Sequence, residues 1–353
     1  MTGAATLPPI GREDLDHAFH AVGEAGWRTL AGRRLFVTGG TGFIGKWLLS
    51  TLIDADRRLN LGCDIAVLSR DPAAFATSAP HLAGAPRVEL LQGDVRDFAF
   101  PAGRFDVVVH GATDVVAQGT PLETFSTCVD GTKRALAFAA HSGATDFLLT
   151  SSGAIYGRQP DHVDKVPEGH LGGPDPTAPS SAYGEGKRVS EWLACAQGAE
   201  TGLKVKIARI YAQVGPYLPL DKHFAIGNFM RDAMANRQIV IQGDGTPYRS
   251  YLHAADTSAW LWAMVIRGVA GRAWNVGGQE ALSIAALARR VAAVLGSDAG
   301  ARTLKTPAAG HVAEHYVPDV ARARAELALP DPIPLDEAIA RAARWYREHA
   351  LTS

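Results

Sequence analysis

Cysteine is scarce in this chain: of 353 residues only Cys63, Cys128 and Cys195 are cysteines, odd in number and far apart. That spacing fits neither a disulfide framework nor a zinc-ligand pattern, so reduced, buried thiols and no metal site are expected. Net charge is also nearly missing, because 35 Lys and Arg stand against 36 Asp and Glu and leave a formal charge of -1, with no basic run. Such a surface has no long-range field for a polyanion, which argues against nucleic acid as the main partner. Long apolar runs are absent as well. The longest aromatic-apolar stretch, AWLWAMVI at Ala259–Ile266, is too short to cross a bilayer, and the N-terminus lacks a basic segment leading into an apolar one. No membrane partner is expected, and the chain reads as cytoplasmic. What is there is ordinary globular composition, 47% hydrophobic and 20% charged residues, enough for one large domain or two coupled ones.

Through the first 210 residues, apolar runs of strand length alternate with segments of helical period. RLFVT, DIAVLS, RVELL, FDVVVH, DFLLTS and KVKIARI are the expected strands, and Gly42–Asp56, Leu122–Ala140 and Ala182–Ala196 the helices between them. This alternation predicts an α/β fold with a Rossmann-type doubly wound parallel sheet. After Arg209, Gly and Pro cluster in VGPYLPLDKH and QGDGTPYRSY, and the elements shorten. A smaller mixed C-terminal substrate lobe is expected there, over 211–353, interleaved with the dinucleotide-binding domain of 33–210 and its returns near 238–280. Residues 1–32 form an N-terminal extension whose REDLDHAFHAVGEAGWRTL has the pattern of an amphipathic helix for packing or oligomer contact, and DEAIARAARWYREH forms a last helix.

FVTGGTGFIGKW, Phe36–Trp47, fits two phosphate-binding patterns at once. Gly40 to Lys46 matches the start of a P-loop, but that loop needs a Ser or Thr hydroxyl after its lysine to hold magnesium, and this chain has Trp47. Gly40, Gly42 and Gly45 instead match G-x-G-x-x-G between a strand and a helix, where small residues admit a pyrophosphate to the helix N-terminus. Lys46 is then read as a solvated residue on that helix. At the end of the second strand, AVLSRDP places Ser69 and Arg70 where a 2'-phosphate or ribose is met, which favours NADP(H) over NAD(H). Asp71, one residue on, would take the ribose hydroxyls of NAD(H) if the strand ended later.

Tyr183 and Lys187 form Y-x-x-x-K on an expected helix, four residues apart and on one face. A phenol with an ordinary pKa of about 10 needs nearby positive charge to act as a base at neutral pH. Lys187 and an oxidised nicotinamide would provide it. Ser151 and Ser152 end the fifth expected strand, at the sheet edge where ligands bind.

Together these residues resemble the extended short-chain dehydrogenase/reductases that modify nucleotide sugars, a family that includes 4-epimerases and 4,6-dehydratases. The resemblance runs from about Arg33 to the last helix and is carried by TGGTGFIG, GDV, HGAT, TSSGAIYG, YGEGK, ARIYAQVGP, GDGTPYRSYLHAAD and WNVGG. It implies a cofactor site at Gly39, Gly42, Phe43, Ile44, Gly45, Ser69, Arg70, His110 and Ala112, with Asp94 and Val95 at the adenine. It also implies Ser152 and Tyr183 as catalytic residues, and Lys187 on the nicotinamide ribose as well as in catalysis. Asn228 and Arg249 match positions that contact a nucleotide diphosphate, and His223 is a loop candidate facing the sugar. The implied partner is a nucleotide-diphosphate sugar, and a homodimer is expected by the resemblance alone.

Two departures narrow the reaction. Dehydratases of the family carry an Asp-Glu pair after the catalytic hydroxyl, whereas Gly153 and Ala154 stand here and cannot move a proton, which argues against 4,6-dehydration. Where many members place an arginine over the nucleotide, this chain has Ala308 or Ala309, with Lys305 or His311 as substitutes. A 4-ketoreductase is the expectation, a C4-epimerase the alternative, and a catalytically silent dinucleotide sensor the reading from another class.

Overall fold

A computed structural model describes residues 6–113, 119–222 and 224–349. The six expected strands form as Arg34–Thr38 (β1), Asp64–Ser69 (β2), Val88–Gln92 (β3), Val107–His110 (β4), Asp146–Ser152 (β5) and Lys204–Ile210 (β6). A seventh, Arg272–Val276, pairs with β6, and the parallel sheet runs in the order β3, β2, β1, β4, β5, β6 and this seventh strand. This is the doubly wound arrangement, whose crevice opens where the chain leaves β1 for one side and β4 for the other. Register brings the carboxyl ends into line, with Thr38 opposite Leu68 and His110, and Ser152 opposite Ile210.

Alternation along β1 separates two cores. Leu35 and Val37 join the cluster under the helices Phe43–Leu59 and Ala254–Arg267, while Phe36 faces the other way among Phe98, Phe105 and Phe138, at ring separations of 5.2, 5.8 and 4.4 Å. The run AWLWAMVI lies in the helix Ala254–Arg267, whose Trp260 and Trp262 are buried. It is apolar all round because the sheet covers one side and the N-terminal helix Arg12–Val22 covers the other. The Trp262 indole N–H is satisfied by Thr51 Oγ1 at 3.0 Å. Among the described residues, no helix is long and apolar enough to cross a membrane.

The N-terminal segment breaks at Gly23, whose φ of 82° ends the first helix and starts a short second one, Glu24–Arg28. His17 Nε2 lies 2.6 Å from Asp256 Oδ1, and Asp256 Oδ2 accepts the Ile333 N–H at 3.0 Å. Arg341 on the last helix, Leu335–Glu348, reaches Asp14 at 3.1 Å and Glu13 at 2.8 Å. The extension therefore joins the sheet domain to the second lobe, whose core gathers Phe229, Met230, Leu287, Ile339 and Trp345.

Asp14 is buried and depends on Arg341 for its charge partner. Arg341→Ala is expected to lower unfolding stability by about 3 kcal/mol, the scale for a buried ion left alone. Urea unfolding at pH 7 checks this; a loss below about 1 kcal/mol would place the pair with exposed ones.

Candidate active site

The site is built around a turn that only glycine can make. Gly39 has φ 74°, and a Cβ there would lie 2.5 Å from the Gly111 carbonyl carbon; at Gly45 a Cβ would meet the Gly39 oxygen at 2.2 Å. Gly42, in extended conformation, precedes the helix Phe43–Leu59, so the first N–H groups of that helix point into a cleft of about 760 Å³. Close backbone approach plus free N–H groups fits the pyrophosphate of a dinucleotide. Lys46 is not the solvated residue its position suggests. Its ammonium bends back to the Thr41 carbonyl at 2.9 Å, and burial lowers its pKa to about 8. Trp47 is buried, its indole N–H donating to the Pro216 carbonyl at 2.8 Å.

Ser69 and Arg70 line the cleft, as do Asp94 and Val95. β2 ends at Ser69, and Asp71 caps the next helix, Pro72–Ser78, by accepting the Ala74 N–H at 2.9 Å. Asp94 holds Arg96 through two side-chain bonds of 2.8 and 3.0 Å, which keep its carboxyl below the ordinary range. Ala112 also lines the cleft, but His110 does not. Its ring lies beneath the floor, between Thr38 Oγ1 at 2.9 Å and Thr132 Oγ1 at 3.1 Å. Thr38 Oγ1 already accepts the N–H groups of Gly111 and Ala112, so its own proton goes to His110 Nδ1, and Nε2–H donates to Thr132. A cofactor contact by the His110 side chain is thus corrected to a strut that fixes the loop after β4. Complete burial, then the Lys187 charge, lowers its pKa to about 3.

The helix Ala182–Thr201 carries Tyr183 and Lys187 in its first two turns. Lys187, 3% exposed, donates to the Thr150 carbonyl and to Thr113 Oγ1, both at 2.8 Å. Its ammonium lies 5.9 Å from the Tyr183 ring centroid. Burial raises the Tyr183 pKa above the phenol value, against the hydrogen bond from Ser152, and burial lowers that of Lys187. Both shifts disfavour charge at these buried groups, so a cation docked beside Tyr183 is what would bring out its phenolate. Strand alternation sorts the two serines. Ser151 turns to Glu191 at 2.5 Å, in a buried network with Arg209, and Ser152 faces the cleft, its Oγ accepting the Ala154 N–H at 3.1 Å.

On the substrate side, Arg249 lines the cleft and pairs with Glu314 at 3.0 Å. Asn228 does not line it; its amide donates to the Lys222 carbonyl at 2.8 Å and ties down the loop before its helix. His223 lies outside the described residues. His311 stays with the turn at Asp244 and Thr246, 3.1 Å from Thr246 Oγ1. Sequence reasoning passed over Tyr316, which reaches the cleft from the far end of the chain and sits 3.4 Å from Ser152 Oγ. A tyrosine between His315 and Val317 carries no motif that would have marked it.

Residues 35–277 match the model of the NAD dependent epimerase/dehydratase family. The chain belongs to that family. Among the relatives of this family member, UDP-glucuronic acid decarboxylase 1 of Arabidopsis thaliana is 30% identical over 90% of this chain and 71% of its own. A dTDP-glucose 4,6-dehydratase of Streptomyces griseus is 29% identical over 89% of this chain and 94% of its own. The dTDP-glucose 4,6-dehydratase of Streptomyces venezuelae, solved with NAD bound, superposes with a TM-score of 0.74 at 26% identity, covering 89% and 97% of the two chains. Dehydratases and decarboxylases thus stand among the relatives, and membership in the family does not exclude dehydration.

His110 gives the site a pH signature. Its folded pKa, about 3, lies below the ordinary 6.5, so the unfolded chain binds a proton that the folded one refuses. Stability from this group is complete above about pH 6.5 and falls as the pH drops toward 3. Between pH 7 and pH 5 the loss from His110 is expected to be about 2 kcal/mol. Unfolding free energies from urea titrations at the two values should differ by that much less in His110→Gln; an unchanged pH dependence would contradict the strut.

Proposed function

We propose that this protein is an NADP(H)-dependent 4-ketoreductase of a nucleotide-diphosphate sugar, acting through Ser152, Tyr183 and Lys187. The observation that carries the reading is the meeting of these three side chains at the carboxyl end of β5, inside the cleft that the glycine turn opens. A bound nicotinamide dinucleotide would supply the hydride. Ser152 Oγ hydrogen-bonds the sugar carbonyl oxygen, Tyr183 gives that oxygen its proton, and Lys187 stabilises the phenolate left behind. The ammonium is held for this by Thr113 and the Thr150 carbonyl.

Three further observations support the details. A side chain at 153 has no room, because a Cβ on Gly153 would lie 2.4 Å from the Tyr211 ring, and Ala154 has no proton to give, which supports a reaction other than dehydration. With Asp71 engaged as a helix cap, Ser69 and Arg70 meet the adenosine ribose, which supports NADP(H). The exposed indole of Trp192, 68% accessible on the outer side of the helix Ala182–Thr201, supports a homodimer. The second reading is a C4-epimerase that keeps its cofactor and returns the same hydride. The match to a family described as NAD dependent epimerases and dehydratases supports it.

Tyr183→Phe is expected to lower turnover by about 10²- to 10⁴-fold while cofactor affinity, measured by fluorescence titration, stays within about 2-fold. Full activity in this variant would remove Tyr183 from the chemistry and return the sensor reading. Arg70→Ala should weaken NADP+ binding by about 10-fold and leave NAD+ nearly unchanged; equal losses for both would overturn the 2'-phosphate assignment. In sedimentation, Trp192→Glu should convert a dimer into a monomer, and a dimer that persists would place its contact elsewhere.

A further inference from the structure

The lysine that follows the glycine turn is held in a way that packing alone does not require. Lys46 lies in the first turn of the helix Phe43–Leu59, where its N–H donates to the Gly42 carbonyl at 2.9 Å. A long cationic side chain ordinarily carries its charge out to water. This ammonium instead folds back on the Thr41 carbonyl at 2.9 Å and lies 5.7 Å from the ring centroid of Tyr217. One of its three donors is thereby spent on the turn, and among the described residues no carboxylate pairs with it. A cation withdrawn from water without a counter-charge costs free energy, and that burial is what lowers its pKa to about 8.

The place of this charge gives the cost a use. Thr41, Gly42, Phe43 and Ile44 line the cleft and Lys46 does not, so the ammonium sits behind the backbone that faces the ligand. The Thr41 carbonyl oxygen, the negative end of a peptide dipole in that backbone, would repel an anion if it were free, and the ammonium covers it. The glycine pattern itself leaves this position open, because its last fixed residue is Gly45.

From this we infer that Lys46 is a positioning residue for the dinucleotide: its ammonium pins the Thr41 carbonyl and sets a positive charge behind the N–H groups that take the pyrophosphate. The inference rests on the dinucleotide site of the function proposed above and adds a proton to its binding. A pyrophosphate favours the charged lysine, so binding raises the Lys46 pKa from about 8 toward the ordinary lysine value. Affinity is therefore full below about pH 8 and falls as the pH rises through it, and binding takes up a proton in that range. The neighbouring groups stay neutral there. Tyr217, in the loop 215–220, is raised by burial, and His81, which reaches the Tyr217 hydroxyl at 3.0 Å from the helix Pro80–Ala83, is lowered by burial and then by Arg57. The other ammonium that burial lowers at this cleft is that of Lys187, and a variant separates the two.

The test is calorimetric titration of the full chain with NAD+ and with NADP+ at pH 7, 8 and 9, each in two buffers of different ionisation enthalpy, so that Kd and proton uptake are read together. Between pH 7 and pH 9 the wild type should lose about 5- to 10-fold in affinity, with about half a proton taken up per dinucleotide at pH 8. Lys46→Met should bind about 10-fold more weakly at pH 7 and show neither the pH dependence nor the uptake. Lys46→Arg, whose guanidinium keeps its charge, should hold its affinity constant to pH 9. A wild-type affinity that is flat from pH 7 to pH 9 overturns the inference without use of any variant. So does a pH dependence that persists in Lys46→Met or, where that variant does not fold, in Lys46→Arg, since it would then belong to Lys187. If neither NAD+ nor NADP+ binds the wild type at pH 7, the dinucleotide reading itself falls, an outcome distinct from binding that ignores pH.

Discussion

A single ammonium organises the centre of this protein. Lys187 is buried almost completely, a position that costs a cation several kcal/mol unless strong acceptors surround it. Its acceptors are the Thr150 carbonyl, the third residue from the end of β5, and Thr113 Oγ1, in the loop after β4. These contacts fix the helix Ala182–Thr201 against the sheet, so Tyr183, one turn earlier, and Ser152, two residues beyond Thr150, meet on the same side. The close fit extends along the helix: a Cβ on Gly184 would meet the Ala154 oxygen at 2.8 Å, and one on Gly186 would meet Cys128 Cβ at the same distance. Further along, Glu191 binds both Ser151 and Arg209 and locks the helix to β5 and β6.

The second constraint is the glycine turn, which brings backbone rather than side chains to the cleft. Its walls are held from both lobes. The Trp47 indole ties the first sheet-domain helix to Pro216, and the Tyr217 hydroxyl donates to the Pro8 carbonyl of the N-terminal segment at 2.9 Å. The loop that lines the cleft with Leu218 and Pro219 is thereby anchored to the helix that follows the glycine turn. Precise placement of two ligands requires this kind of coupling, because a hydride passes only between atoms already held in contact.

Much of this was legible in the sequence, and the exceptions have physical reasons. Five of the six strands show as apolar runs because strands buried on both faces carry little polar alternation, whereas β3, at the sheet edge, keeps exposed Glu89 and Gln92. The glycine turn shows because backbone geometry there admits no other residue. The seventh strand, RAWNV, carries Arg272 and Asn275, so it has no apolar run to mark it. His110 reads as a cofactor contact from its neighbours in HGAT, yet strand alternation carries its ring below the floor. Asn228 serves its own loop, and Lys46 folds back on the turn. Tyr316 is 164 residues from Ser152 in the chain, and only the folded second lobe brings the two hydroxyls together.

The proposed ketoreductase and its epimerase alternative share one step, the passage of a hydride between a dinucleotide and the C4 of a nucleotide sugar. The most direct measurement is mass spectrometry of the cofactor after the NADP+- or NAD+-loaded protein meets UDP- or dTDP-glucose deuterated at C4. Deuterium on the nicotinamide ring of the wild type, and its absence in Tyr183→Phe, is the predicted result. An unlabelled cofactor in a wild-type protein that demonstrably binds both ligands would contradict the account.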